Sequence, residues 1–170
     1  MTEGRPELGS IHPVGSYSEE EALRIAASIE SGSEHPVGRA IVGAARKRGL
    51  ELEAIGGFRA EPAVGVEAEI AGQPYAVGGE GLLRKRGLNV PLVDDADRNI
   101  VWLLDSERII AGFSVRDRIR VQTPEAVERL KRIGVELEVL SGDSQAETSR
   151  VASRLGIGEA IGGLSPDEKV

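Results

Sequence analysis

Two stripes of apolar residues at helical spacing lie near the start of the chain. The first follows Ser18, which together with Glu21 has the spacing of a capping box, a frequent signal of a helix start. The second follows Pro36, which suits the first turn of a helix, and Gly49 closes it. The apolar positions are Ala22, Ile25, Ala26 and Ile29 in the first stripe, and Val37, Ala40, Ile41, Ala44 and Ala45 in the second. The pattern predicts two consecutive amphipathic helices.

An alternating pattern replaces the helical one in the middle of the chain. Over residues 63–79 apolar positions alternate with glycine and glutamate, which predicts two strands joined around Ala71-Gly72. A short helix and a second hairpin, turning at residues 105–107, follow. Residues 7–112 are therefore predicted to form an α+β domain in which helices pack on an antiparallel sheet.

Helices and a strand alternate in the last third of the chain. One helix begins at Thr123, a strand over 135–140 follows, and a second helix covers about 144–155. This alternation predicts a parallel sheet of the α/β type, in which ligands bind beyond the C-terminal ends of the strands. Residues 113–170 are therefore predicted to be part of an α/β domain.

The first 17 residues show no clear periodicity. They are rich in glycine, proline and serine, a composition that is typical of loops, and we expect an entry loop here. His12 is interpreted as an ordinary residue of that loop.

Composition narrows the classes of function. Of the 170 residues 40% are apolar but only 3% are aromatic, so we expect an aliphatic core. The absence of cysteine excludes disulfides, thiolate metal sites and cysteine nucleophiles. No apolar run is long enough to span a membrane. The net charge of −7 argues against a nucleic-acid partner, and an anionic ligand would need local backbone N–H groups, a helix N-terminus or isolated cations.

One candidate site follows the strand over 135–140. Ser141-Gly142-Asp143 lies at the predicted end of this strand, and Lys169 lies further along the chain. A hydroxyl and a cation are the groups that a phosphoryl-transfer site needs to hold and neutralise phosphate oxygens. The alternative is a simple strand–turn–helix connection in which Asp143 or Ser144 only caps the helix.

A second candidate site surrounds His35, next to Pro36. Its imidazole, held by the fixed backbone of the proline, is suited to contact a purine ring, and Glu30 can accept from an exocyclic amine. The alternative is that His35 caps its own helix and Glu30 is solvated. Gly65 and Gly78 lie in or at the end of strands, where a glycine marks a turn or bulge, or the close approach of another backbone or a ligand.

Four stretches resemble one known family, in order and over nearly the whole chain: SEHPVGRAI, AVGVEAEIAG, the segment from DRIR to VLSGDSQAETSRVASRLGI, and LSPDEK. The chain resembles the cytoplasmic nucleotide-binding and phosphorylation region of heavy-metal-transporting P-type ATPases, closest to the copper-type pumps. The resemblance implies an α+β nucleotide-binding domain over 7–112 and an incomplete haloacid-dehalogenase-like phosphorylation domain over 113–170 with 1–6.

The resemblance also implies roles for individual residues. Those of the nucleotide pocket are Glu30, His35, Ala63, Gly65 and Gly78, and those of the phosphorylation domain are Asp117, Ser141, Gly142, Asp143 and Lys169. Ala63 departs from the family, which has glycine there, so that a methyl group presses on the nucleotide. Gly79 stands where the family commonly has asparagine. Ser141 replaces threonine and keeps the hydroxyl.

The function implied is that of an ATP-driven translocase, which couples ATP hydrolysis through an aspartyl-phosphate to the transport of a heavy-metal ion, with copper favoured. The phosphorylated aspartate and the magnesium-binding loop of the family are missing from these 170 residues. We therefore expect this chain to bind ATP without hydrolysing it, and magnesium to act in the intact pump.

The expected partners are ATP and the remaining phosphorylation, actuator and transmembrane domains, with neither the transported ion nor nucleic acid bound. The chain would be a cytoplasmic portion of an integral membrane protein. Two alternatives stay open. One is a soluble haloacid-dehalogenase-type phosphatase, although no Asp-x-Asp motif is visible at a strand end. The other is a non-catalytic nucleotide-binding regulatory module.

Overall fold

The computed structural model describes residues 2–91, 99–119, 122–142 and 145–164. The chain forms two compact units. One spans Gly4–Asp117, and the other combines Met1–Glu3 with Arg118–Val170. The domain boundaries given above, at residues 7–112 and 113–170, stay predictions.

The larger unit contains a six-stranded sheet and three helices. The strands are β1 (Thr2–Pro13), β2 (Ile55–Glu61), β3 (Gly65–Ile70), β4 (Gln73–Gly78), β5 (Ile100–Leu104) and β6 (Ile109–Ile119), and the helices are α1 (Glu19–Glu30), α2 (Pro36–Lys47) and α3 (Glu80–Lys85). Their order in the sheet is β1-β6-β5-β4-β3-β2, and neighbours from β2 to β6 are antiparallel. The predicted α+β architecture is confirmed.

Local signals explain where these elements begin and turn. The Ser18 hydroxyl accepts from the backbone N–H of Glu21, and the Glu21 carboxylate accepts from the Ser18 N–H at 2.9 Å, which completes the predicted capping box. At the β3–β4 turn both Ala71 and Gly72 have positive φ, 50° and 79°. A two-residue turn of this kind matches the twist of the flanking strands, so it fixes the hairpin register.

Apolar residues cover both faces of the central strands. Helix α1 packs on one face, where its buried Leu23 joins the core that contains Val77 and Leu103. The adjacent positions on the same strands point the other way, because side chains alternate along a strand. There the buried Trp102 packs with Leu82 from α3. The sheet is therefore a central layer, which holds its strand ends in fixed positions.

Strand β1 corrects the prediction of an entry loop over the first 17 residues. Among the described strands it lies at the edge of the sheet, beside β6, and at an edge proline is tolerated. Gly9 leaves room for the Ser114 hydroxyl on β6, since a Cβ there would lie 2.6 Å from it. His12 is thus a strand residue, and its Nε2 lies 3.1 Å from the Ser10 hydroxyl. The glycine and proline residues of this segment are thus compatible with a strand that is hydrogen-bonded along one side.

The smaller unit has the predicted α/β alternation. It contains α4 (Thr123–Arg132), β7 (Glu138–Leu140), α5 (Gln145–Arg154) and β8 (Glu159–Ile161), and β7 pairs with β8 in parallel. Its core consists of Val127, Val139, Ala152, Leu155 and Ile157. The ends of β7 and β8 are therefore fixed beside one another by a small aliphatic core.

Candidate functional site

A cavity of about 680 Å³ lies within the larger unit, between the α1–α2 connection and strands β2, β3 and β4. Three distant segments of sequence bring the predicted pocket residues to its wall, and these are Glu30, His35, Ala63, Gly65 and Gly78. The volume falls in the range of sites that enclose most of a small organic ligand. The structure thus places all the residues proposed for one ligand around one space.

Glu30 is the last residue of α1 and is only 6% exposed. Burial raises the pKa of its carboxyl from 4.5 to about 7, while a hydrogen bond with the Ser33 side chain acts in the opposite direction. Its Oε2 atom has no hydrogen-bond partner among the described residues. A buried carboxyl oxygen without a partner is costly, and Glu30 lies at the cavity wall, so its carboxyl is a candidate acceptor for an amino group of a ligand.

His35 is the N-cap of α2, as one of the two interpretations expects. Its Nδ1 accepts from the backbone N–H of Val37 at 3.3 Å, and its own backbone N–H donates to the Ser33 hydroxyl at 3.2 Å. Because Nδ1 acts as an acceptor, the ring proton lies on Nε2, which is then a donor. The ring also lines the cavity. Capping and ligand contact are therefore compatible in this geometry, because they use different nitrogen atoms.

Gly65 and Gly78 are directly opposite one another on β3 and β4. A Cβ on Gly65, whose φ is 152°, would collide with the Val77 carbonyl oxygen and lie 2.8 Å from the Gly78 Cα. A Cβ on Gly78 would collide with the Val64 carbonyl oxygen. Of the alternatives weighed for these glycines, close approach of another backbone is what the structure contains, and a role towards a ligand stays a prediction.

The two residues that depart from the family pattern lie on either side of this glycine pair. Ala63 has a φ of 62°, in the left-handed region that favours glycine, within a turn closed by the Val64 N–H and the Glu61 carbonyl at 3.1 Å. Gly79 precedes α3 as its N-cap without a side-chain hydrogen bond, and no described atom lies within 4 Å of a Cβ built there. Ala63 is therefore strained, whereas Gly79 has free space around it.

Two further residues of the cavity wall are not predicted by the sequence pattern. Ser33 contacts both Glu30 and His35 through its hydroxyl. Phe58 lies at a β-bulge, where the pairing of β2 with β3 skips between Gly56 and Arg59. A bulge redirects side chains, and bulges are common beside binding sites. The signal for Phe58 is its rarity, because the sequence has only two phenylalanines.

The second candidate site is only partly described. Ser141 follows β7, and its backbone N–H donates to the Ile161 carbonyl at 3.0 Å, continuing the pairing with β8; Gly142 comes next in the chain. Asp117 lies in β6, but its side chain is outside the described part of the structure. Asp143 and Lys169 lie outside the described residues altogether. The phosphate-binding role of this group stays a prediction.

Gln145, which the sequence pattern does not single out, forms hydrogen bonds at the same edge of the sheet. The Gln145 amide donates to the Ala160 carbonyl at 2.8 Å and accepts from the Gly162 N–H at 2.8 Å. Both bonds link the start of α5 to the end of β8, so Gln145 fixes the loop that follows this strand.

The described residues show neither a cluster of metal-binding side chains nor a helix suited to span a membrane. Within residues 2–91, 99–119, 122–142 and 145–164, no group of three or more His, Asp or Glu residues is placed to hold a metal ion. Among the helices of the described part, none combines the length and the apolar character that a bilayer crossing needs.

Comparisons with known proteins give consistent matches. A family model for haloacid dehalogenase-like hydrolases matches residues 2–170. Copper-transporting ATPase 1 of Rhizobium meliloti is 34% identical over 177 residues, which cover 100% of this chain and 21% of that protein. Copper-exporting P-type ATPase B of Archaeoglobus fulgidus is 37% identical over 174 residues, which cover 99% of this chain and 25% of that protein. The chain thus spans about a quarter or less of the curated relatives it matches.

Solved structures of metal-transporting ATPases share the fold of this chain. A zinc-transporting PIB-type ATPase matches with a TM-score of 0.80 and 27% identity, covering 99% of this chain and 28% of that one. The catalytic domain of the CPx-ATPase CopB-B, studied for its changes on nucleotide binding, matches with a TM-score of 0.75 and 25% identity, covering 99% and 59%. The N-domain of HMA8, a copper-transporting P-type ATPase, matches with a TM-score of 0.53 and 28% identity, covering 64% and 98%.

Proposed function

Because the chain belongs to the haloacid dehalogenase-like hydrolase family, we propose that it is the ATP-binding region of a heavy-metal-transporting P-type ATPase, with copper as the cargo of the whole pump. The resemblance drawn from the sequence motifs is confirmed by relatives that match over the full length of this chain. A free-standing phosphatase and a non-catalytic module are not favoured, since these relatives are transport ATPases.

The observation that carries the proposal is the convergence of the pocket residues on one cavity. The acidic residues Glu30 and Glu34 line this cavity, together with Glu61, whose carboxylate is paired with Lys85. Carboxylates repel the phosphates of a nucleotide and accept hydrogen bonds from an amino group. The adenine ring, and not the triphosphate, therefore occupies the part of the cavity near Glu30.

Two polar atoms then read the base. The Glu30 carboxyl accepts from the exocyclic amine of adenine, and the Nε2–H of His35 donates to the ligand. Phe58 offers an aromatic face at the cavity wall. Gly65 and Gly78 line the same cavity, and their backbone is proposed to lie beside the nucleotide. Guanine presents a carbonyl oxygen where adenine has its amine, so the site favours ATP over GTP.

In the intact pump the domain delivers the γ-phosphate of ATP to an aspartate. The Ser141 hydroxyl and the Lys169 ammonium hold phosphate oxygens, Gly142 and Asp143 belong to the same sequence motif as Ser141, and Asp117 helps to position the two domains. Magnesium is proposed for the whole pump. The described residues contain no group of three or more His, Asp or Glu side chains placed to hold it. The remaining phosphorylation, actuator and transmembrane domains are the proposed partners.

Calorimetric titration of the chain with ATP and with GTP, in the presence of a magnesium chelator, tests the proposal. We expect ATP to bind and GTP to bind more weakly, because base recognition uses groups of the cavity and no metal. Equal affinities for the two nucleotides, or binding of ATP that disappears with the chelator, would contradict the assignment of the cavity to the adenine ring.

A further inference from the structure

A glycine of α2 occupies the position that faces the Glu30 carboxyl. Gly38 is buried, and a Cβ built on it would collide with Glu30 Oε2 and lie 3.1 Å from the Glu30 carboxyl carbon. The same Cβ would lie 3.2 Å from the Ser33 Cβ. The carboxyl of Glu30 therefore fits against a bare Cα, with the Ser33 hydroxyl as its hydrogen-bond partner.

Helix geometry does not account for a glycine here. Glycine is less stable than alanine in the interior of a helix, so its presence in α2 needs another reason. Gly43 lies in the same helix, and a Cβ built on it meets no described atom within 4 Å. Of these two glycines, only Gly38 makes room for a side chain on a neighbouring helix.

We propose that Gly38 is a positioning residue for base recognition: the space left by its missing side chain holds the Glu30 carboxyl at the cavity wall, where it distinguishes adenine from guanine nucleotides. The inference rests on the proposed function of the cavity. It concerns a residue that acts through Glu30 and does not itself contact the ligand.

A methyl group at position 38 should displace the carboxyl without unfolding the unit. The atoms it would meet include the far end of a flexible glutamate side chain, which can rotate towards the cavity. The alanine itself favours the helix. The carboxyl would then occupy part of the space that the exocyclic amine of adenine needs, and it would no longer stand at the fixed position from which it distinguishes adenine from guanine.

The experiment compares Gly38→Ala with the matched control Gly43→Ala, and includes Glu30→Ala and the double variant Gly38→Ala/Glu30→Ala. Calorimetric titrations with ATP and GTP are run at pH 8, where Glu30 is ionised and acts only as an acceptor. We expect Gly38→Ala to bind ATP roughly 2- to 12-fold more weakly, the effect of one lost hydrogen bond, with a reduced preference over GTP. Gly43→Ala should bind as the unmodified chain does.

The double variant separates action through Glu30 from a general disturbance. If Gly38 acts through Glu30, the double variant binds ATP as weakly as Glu30→Ala and no more weakly. An unchanged ATP:GTP ratio in Gly38→Ala, or an equal further loss when its change is added to Glu30→Ala, would overturn the proposal.

A measurement without nucleotide separates this proposal from the proposed function. The carboxyl carbon of Glu30, followed by NMR against pH, should titrate near 7 in the unmodified chain and in Gly43→Ala, and closer to 4.5 in Gly38→Ala. A midpoint that stays near 7 in Gly38→Ala would show that the carboxyl has not moved and would overturn the positioning role. Failure of the unmodified chain to bind ATP would instead refute the function of the cavity.

Discussion

Replacing Glu30 by glutamine should make the stability of the larger unit less dependent on pH. The pKa of Glu30 is about 7 in the folded chain and 4.5 when the group is solvated. The folded state therefore holds this proton more tightly than the unfolded state does. As pH rises from 4.5 to 7 the unfolded chain releases the proton first, so the stabilising effect of protonation, complete below 4.5, is lost by the time the pH has passed 7.

The size of the effect follows from the burial of the carboxyl. With the side chain 6% exposed, solvent screens it little, and the pKa difference corresponds to about 3 kcal/mol. Glutamine has nearly the same shape and no ionisable proton. The difference in unfolding free energy between Glu30→Gln and the unmodified chain should therefore shift in favour of the variant by up to about 3 kcal/mol as the pH rises from 4.5 to 8.

The assay is urea unfolding at pH 5, 6, 7 and 8, followed by tryptophan fluorescence. Trp102, the single tryptophan of the sequence, is buried on β5, so its signal reports on the unit that contains Glu30. Glu34→Gln, an exposed neighbour in the α1–α2 connection, is the matched control and should leave the pH profile unchanged. A constant offset between Glu30→Gln and the unmodified chain at every pH would refute the reasoning, because it would mean that Glu30 ionises as freely as a solvated glutamate.

Three further substitutions test separate parts of the site. His35→Asn keeps a good N-cap but loses the ring, so ATP affinity should fall roughly 2- to 12-fold with little change in melting temperature. His35→Ala loses both, so it should lower the ATP affinity and the melting temperature. Calorimetry and thermal melting measure the two effects, and unchanged affinity in both variants would mean that His35 only caps the helix. Ala63→Gly should raise the unfolding free energy in urea by up to about 1 kcal/mol, since it relieves a left-handed alanine, and a loss would show that the turn is not strained. Gly65→Ala should destabilise by more than about 2 kcal/mol because its methyl group meets backbone atoms, while Gly79→Ala, with open space, should not; equal effects in urea unfolding would contradict the close approach of β3 and β4.

The elements that the sequence predicts correctly are those with local signals. The capping box at Ser18 and the turn at Ala71-Gly72 are complete within a few residues, so their physics is visible in a short stretch of sequence. Strand β1 has no such signal. Its Ser10 pairs with Ser114, more than a hundred residues away, and the glycine and proline that suggest a loop are tolerated at a sheet edge. Tertiary pairing decides this segment.

The candidate site likewise contains some residues that the sequence predicts and others that it does not. The pattern around His35 and the resemblance of the motifs are enough to name the residues that the structure brings to the cavity wall. They do not reveal the role of Gly38, because the reason for that glycine is a carboxyl on another helix. Nor do they reveal Phe58, whose placement depends on a bulge in an edge strand. Residues that act through packing become visible only when their neighbours are known.

The facing glycines of β3 and β4 restrict how this cavity can change during evolution. Each is blocked by a carbonyl oxygen of the opposite strand, so a side chain at either position needs a shift of backbone and is not compensated by a second substitution at its partner. Ala63 and Gly79, which flank the pair, are free of that constraint, since one already carries a methyl group and the other has open space. Among these four positions, single substitutions that reshape the cavity are therefore directed to Ala63 and Gly79, while the pair between them stays fixed.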